Sequence, residues 1–275
     1  MPLKDILVLL DDSKVNADRI STVFDLAKLN GSTVTAAALG SIKPIHAPEI
    51  DDKASARMAK KMAEQLVSDF VTKAEANEVI ARTLIIYGNA SDSSEKMAHY
   101  ARNHDLVVLA QPNPSQSNYA WLQDFAEDVL LLSGRPVMFM PYIGVRKPSI
   151  DKVIIAWDGT PAVSRAVHDA IPILLGAKDV VILIVNSKKQ QAFKQDVLVD
   201  GLLEHLLSHG VKARISQIKP GNNDVPTVIL NQISDNNIDL LIMGGYGTPT
   251  LKQKIFGSVS ANMLSCMTTP VLMSH

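Results

Sequence analysis

The sequence predicts an α/β fold present twice: two tandem open parallel sheets, each with helices on both faces. Three observations carry this. The apolar runs are short, rich in β-branched residues and unalternating, the signature of strands buried on both faces. Amphipathic stretches of helical length separate them, as βαβ units require. The pattern then repeats, because each feature of residues 1–145 has a counterpart in residues 150–275. Of the 275 residues, 47% are apolar and 20% charged, an ordinary globular balance with core enough for two domains.

The elements align in order. Ile6 to Leu10 is a strand ending in Asp11-Asp12-Ser13, and Val153 to Trp157 is its counterpart, ending in Asp158-Gly159-Thr160. Each leads into a helix, Ala17 to Asn30 or Ala162 to Leu175, and then into a second strand, Thr33 to Leu39 or Val180 to Val185. Residues 41–52 read as a loop with Pro44 and Pro48. Lys53 to Ala76 follows as a long helix, against a shorter one at about Lys194 to His209. Asp105 to Leu109 matches Asp239 to Met243, and Pro136-Val137 matches Pro270-Val271 across the same interval, so the halves align there without a gap. The domain boundary falls within Tyr142 to Ile150, a stretch with Gly144, Pro148 and no period.

Charge and cysteine content narrow the function classes. A net charge of −1 supplies no basic field for nucleic acid or anionic lipid. Cys266 is the only cysteine, which excludes an internal disulfide. The run Ile6 to Leu10 is too short to span a membrane and lacks a signal-peptide layout. A cytoplasmic location is the expectation.

The chemistry concentrates in the second half. Gly244-Gly245-Tyr246-Gly247 follows a predicted buried strand, and Gly257-Ser258-Val259-Ser260 opens the next predicted helix, to Met267. Glycines let the backbone approach phosphate oxygens. The unpaired N–H groups of a helix start, aided by the helix dipole, donate to them, and Ser258 and Ser260 add hydroxyls. A plain turn and helix cap would use the same residues. The spacing is neither a Walker A loop, which closes on Gly-Lys-Ser/Thr, nor the dinucleotide fingerprint. Asp158 lies just past the carboxyl end of its strand, where open α/β sheets bind ligands and where a carboxylate can accept ribose hydroxyl bonds. Thr160 and Pro161 also fit a helix cap, and both readings are compatible.

Together these residues resemble the universal stress protein family. Its ATP-binding members carry Gly, two residues, Gly, nine residues, then Gly-Ser or Gly-Thr, a spacing met by Gly244, Gly247, Gly257 and Ser258. Asp158-Gly159-Thr160, Asp239 to Gly244 and Pro270-Val271 match further family features. The resemblance implies five-stranded sheets of order 3-2-1-4-5. It also implies ATP or ADP, with or without magnesium, at the second half. Asp158 would meet ribose or adenine, and Val185 would meet adenine through its backbone. Gly244, Gly247, Gly257, Ser258, Val259 and Ser260 would surround ribose and phosphates. The implied role is non-catalytic or very slowly hydrolytic, in stress response. The closing strands, Val137 to Met140 and Val271 to Ser274, are expected to pair the halves as a pseudo-dimer, with a homodimer as a further association.

Several residues depart from the family pattern. Ala156 stands for a common proline, and Tyr246 and Thr248 stand for a common His and Arg. In the first half the glycine motif reads Ala110, Asn113, Gln123 and Asp124. A carboxylate where the helix-start serine belongs would repel phosphate, so this half is expected to have lost the ATP site.

Other candidates have plainer readings. His205 and His209 have a metal-ligand spacing, but no third ligand stands out, and the flanking leucines suggest an ordinary amphipathic helix. Asp11, Asp12 and Asp124 would suit a cation if they gathered, but a turn and a helix cap explain them. Lys252 and Lys254 suit either phosphate contact or a solvated loop. Cys266 reads as a packed residue. The alternatives to a nucleotide-binding stress protein are an ATP-cleaving or adenylate-transferring enzyme on a related fold, whose signatures are missing from the sequence, and a scaffold holding another metabolite.

Overall fold

Strands form where the sequence places apolar residues that both faces of a sheet can bury. A computed structural model describes residues 3–40, 52–88, 90–185, 196–245 and 258–275. The chain divides into two compact units, 2–144 and 145–275.

The first unit runs β1 (Asp5–Leu9), α1 (Asn16–Asn30), β2 (Thr33–Leu39), α2 (Asp52–Ala76), β3 (Ala81–Ile86), α3 (Ala90–Ala101), β4 (Leu106–Ala110), α4 (Tyr119–Ser133) and β5 (Val137–Met140). Its strands lie parallel in the order β3-β2-β1-β4-β5. The second runs β6 (Lys152–Ala156), α5 (Pro161–Leu174), β7 (Asp179–Val185), α6 (Asp196–Ser208), β8 (Arg214–Ile218), α7 (Val225–Asn236), β9 (Leu240–Gly244), α8 (Ser258–Cys266) and β10 (Val271–Ser274). Its order is β8-β7-β6-β9-β10, again parallel. Both are the expected 3-2-1-4-5 sheets.

Central strands are buried on both faces. Leu106 to Leu109 and Leu240 to Met243 are all buried, whereas the outer strands β3 and β8 are half-buried and carry Arg82 and Arg214. Helix α5 shows how a covering helix is written. Val163, Ala166, Val167, Ala170 and Ile171 form its buried stripe at helical spacing, against the β9 side of the sheet.

The repeated aspartates before β4 and β9 have a structural cause. Asp105 Oδ2 accepts the N–H groups of Lys4 (2.7 Å) and Asp5 (3.1 Å), tying the start of β4 to the start of β1. Asp239 Oδ2 does the same for Asp151 (3.1 Å) and Lys152 (2.9 Å) at β6. Asp239 additionally pairs with Arg146 (2.8 Å) and Lys147 (3.1 Å). Burial opposes its ionisation, but the Lys152 N–H, the two cations and the Asp151 N–H outweigh burial and hold its carboxyl below the usual carboxylate range.

Candidate functional site

Strands β6 and β9 are parallel neighbours with Ile155 opposite Ile242, so their carboxyl ends emerge side by side. From β6 the winding proceeds outward to β7 and β8, then returns to β9 on the other flank. That reversal leaves a crevice at the strand ends, the usual ligand position of open α/β sheets. Asp158 stands exposed beside it. Its Oδ1 accepts the Thr160 N–H (3.0 Å) and the Thr160 hydroxyl (2.7 Å). Thr160 Oγ1 in turn accepts the Val163 N–H (3.4 Å), and Pro161 takes the first turn of α5. The turn, the cap and an outward carboxylate thus coexist.

Gly244 has a role that the sequence did not reveal. A Cβ here would lie 2.7 Å from the Val163 backbone nitrogen and 3.0 Å from the Ala162 Cβ. Glycine is therefore what allows α5 to approach the end of β9. The next N–H, of Gly245, is already bonded to the Ser274 carbonyl (2.9 Å), so phosphate donors must come from further along the chain. Helix α8 opens at Ser258 and carries half-buried Val259 and buried Ser260 in its first turn. Val185 ends β7 on the opposite flank of β6. Gly247, Gly257, Tyr246, Thr248, Lys252, Lys254 and the Ser258 side chain lie outside the described residues.

Two neighbours of this crevice escaped the sequence reading. Trp157, next to Asp158, is 8% exposed, and its Nε1 finds no partner among the described residues. Arg165, one turn into α5, donates to the His275 carbonyl (2.7 Å), while the His275 ring lies 3.4 Å from the Gly245 carbonyl. Their signal was weak: a Trp inside an apolar run reads as core, and an Arg on a helix reads as solvated.

The first unit builds its crevice differently. Asp11 repeats the turn by accepting the Ser13 N–H (2.9 Å). Its Oδ2 is clamped by Arg19 at 2.8 Å, a guanidinium only 1% exposed, where the aligned residue of α5 is Ala166. Ala110 replaces Gly244, and α1 starts at Asn16, two aligned positions later than α5, with no side-chain cap. The resulting cavity, about 630 Å³, is lined by apolar side chains including Leu9, Met62, Leu109, Trp121 and Phe125.

Asp124 corrects one expectation. It does not open a helix, because α4 begins at Tyr119 and carries Asp124 exposed in its second turn. Gln123, in place of glycine, lets the helix run through the position where α8 starts. The position aligned with Ser258 thus lies inside α4 in the first half, and not at a helix opening. Among the described residues, no group of three or more acidic, His or Cys side chains could hold a metal ion.

No helix among the described residues is long and apolar enough to cross a membrane. Residues 149–275 match the model of the universal stress protein family. No curated protein matches the chain. Among solved structures, the whole chain resembles a universal stress protein from Archaeoglobus fulgidus, with 18% identity, 98% of this chain and 94% of that one covered, and a TM-score of 0.77. It also resembles a functionally unknown protein from Pseudomonas aeruginosa PAO1 (12% identity, 98% and 92% covered, TM-score 0.59). A putative universal stress protein from Pseudomonas aeruginosa UCBPP-PA14 is similar too, with 12% identity, 98% and 92% covered and a TM-score of 0.57. At these identities the likeness fixes the fold of the full chain.

Proposed function

We propose that the chain, whose residues 149–275 match the model of the universal stress protein family, binds one adenine nucleotide, ATP or ADP with or without magnesium, in the crevice of its second half. The supporting observation is the side-by-side emergence of β6 and β9, with exposed Asp158 past one strand and α8 opening at Ser258 after the other. A carboxylate there suits ribose hydroxyls, and the N–H groups of a helix start suit phosphate. In this reading Val185, Val259 and Ser260 would wall the same crevice, and Gly244, Gly247, Gly257 and Ser258 would surround ribose and phosphates. The role is that of a nucleotide-dependent stress-response protein in the cytoplasm, without turnover beyond slow hydrolysis.

Heat denaturation of purified protein followed by chromatography of the supernatant tests for bound nucleotide. Titration calorimetry of stripped protein tests stoichiometry. One site per chain supports the reading, and two equivalent sites, or none, overturn it. Trp157 supplies a second readout. In a Trp121→Phe background it is the sole indole, and its emission is expected to change on addition of ATP.

A further inference from the structure

The cavity of the first unit lies at the carboxyl ends of β1 and β4, which contribute Leu9 and Leu109. Helix α2 supplies Met62 and Leu66, and α4 supplies Trp121 and Phe125, whose ring centroids are 5.4 Å apart and tilted by 45°. At about 630 Å³ the cavity falls among small-molecule sites, which span roughly 300–1,000 Å³ and are mostly apolar. Among the described residues that line it, the charged ones are Asp11, Asp12 and Lys14. Arg19 neutralises Asp11 from within at 2.8 Å, which leaves Asp12 against Lys14 and no net charge. Ser13 lines the same space, and its buried Oγ has no partner among the described residues. A buried hydroxyl is costly to leave unbonded, so a guest that bonds it gains by doing so.

We propose that this cavity binds an uncharged aromatic small molecule carrying a hydroxyl or amine, with its ring against Trp121 and Phe125 and its polar group on Ser13 Oγ. The site lies within the first unit and does not rest on the nucleotide reading. The walls select the body of the guest. Indole and phenyl rings stack on an aromatic guest or meet it edge to face, and the Met62 thioether makes favourable contacts with ring edges. Met62 is 45% exposed, so an apolar side chain of the lining stands in water until a guest covers it. The charge balance selects against ions. Phosphate finds no helix opening, because α4 runs through the position aligned with Ser258, and Lys14 is offset by Asp12. An ion entering this apolar space would lose its hydration without gaining an unmatched partner. A hydroxyl both donates and accepts, so Ser13 Oγ suits either a hydroxyl or an amine on the guest.

The test uses the full-length chain and two fluorescent probes that share one ring system. N-phenyl-naphthylamine is uncharged and carries one N–H, and anilinonaphthalene sulfonate adds a negative charge. Trp157→Phe leaves Trp121 as the sole indole, so energy transfer from it to the bound uncharged probe reports this cavity. One uncharged probe per chain is expected, with Trp121 emission quenched. Met62→Lys, at an exposed position, and Ala59→Phe, which fills the cavity from α2, should each weaken binding at least about tenfold. Ser13→Ala should weaken it about threefold, by loss of one hydrogen bond. Leu207→Ser, at an exposed apolar position on α6, should leave binding unchanged, and saturating ATP should not displace the probe. The sulfonate should bind at least about tenfold more weakly. Circular dichroism should show every variant folded at the assay temperature. Absence of binding by the uncharged probe, or parental affinity in both Met62→Lys and Ala59→Phe, overturns the site. Equal damage from Leu207→Ser, or displacement by ATP, overturns its location. Equal affinity for the sulfonate overturns the uncharged class of ligand, and parental affinity in Ser13→Ala overturns the contact with Ser13.

Discussion

The two halves share a strand order, an aspartate clamp at the amino ends of their strands and an Asx turn after the first strand. They part company at Gly244 against Ala110, Ala166 against Arg19, and Gly257 and Ser258 against Gln123 and Asp124, among other aligned positions. The shared features hold the sheet together, and the differing ones reshape its carboxyl end: in the first half a Cβ stands at Ala110, a buried guanidinium holds Asp11, and α4 runs through the position at which α8 opens.

The largest expected effect is at the phosphate path. Gly257→Asp and Ser258→Asp each add a carboxylate at the opening of α8, where it repels phosphate and competes for the N–H donors. Partly desolvated like charges at such range cost several kcal/mol, so titration calorimetry should show nucleotide affinity reduced at least ~100-fold. Retained affinity in both variants would break the assignment. In the first half, Gln123→Gly with Asp124→Ser should leave nucleotide stoichiometry at one, since Ala110, Asn113 and the Arg19 clamp remain.

The clamps offer a comparison in stability. Asp239→Asn removes a buried carboxylate from two backbone donors and two cations, and should cost about 3 kcal/mol in denaturant unfolding. Asp105→Asn, whose carboxylate holds the two backbone donors, should cost about 1 kcal/mol. The pH dependence has a definite sign. The folded Asp239 carboxyl lies below its ordinary value, so its contribution is full above the unfolded value of about 3.9 and is lost as pH falls through the folded one. The parent should therefore lose stability below about pH 4 more steeply than Asp239→Asn. Parallel acid profiles would remove Asp239 from this role.

How far the sequence spoke depended on burial. The strands β1, β4, β6 and β9 are apolar on both faces and were legible as runs. The edge strands β3 and β8 have one half-solvated side, so Arg82, Thr83 and Gln217 broke the signal that would have marked them. The repeat was legible and located the aspartate clamps, but not their purpose, because their partners are backbone N–H groups 87 to 101 residues away. Asp158 and the start of α8 were legible as a motif. Asp124 misled because alignment carries over positions, not helix starts, and Gln123 permits a helix where glycine would end one.

A smaller effect tests the approach of helix to strand. Gly244→Ala places a methyl group against Val163 and Ala162, a backbone neighbour that cannot yield without moving α5, and should cost about 2 kcal/mol. Ala110→Gly in the first half relieves no such contact, and should cost about 1 kcal/mol through chain entropy alone. Thermal melts of the pair would show whether the glycine serves packing, and equal losses would count against the close approach as its reason.

The smallest effect distinguishes the two aspartates at the strand ends. Both make the same turn, but Arg19 holds Asp11 at 2.8 Å, whereas α5 offers only Ala166 at the aligned position beside Asp158. A carboxylate engaged by a buried guanidinium is compensated from within, while an exposed one beside a ligand crevice can accept ribose hydroxyls. Asp158→Ala removes one or two such bonds and should weaken nucleotide binding roughly tenfold, about 1.4 kcal/mol. Asp158→Asn keeps an acceptor for the Thr160 bonds that shape the turn, so comparing the two separates loss of the ligand contact from loss of the cap. Asp11→Ala should leave nucleotide affinity unchanged. It should lower stability instead, because it leaves the buried Arg19 guanidinium with only its Asn16 hydrogen bond (2.7 Å), its Nε and Nη1 having no partner among the described residues. Calorimetry and denaturant unfolding on the same three variants read both quantities. If Asp11→Ala weakens binding as much as Asp158→Ala, the nucleotide is not confined to the second half, and the asymmetry between the copies fails.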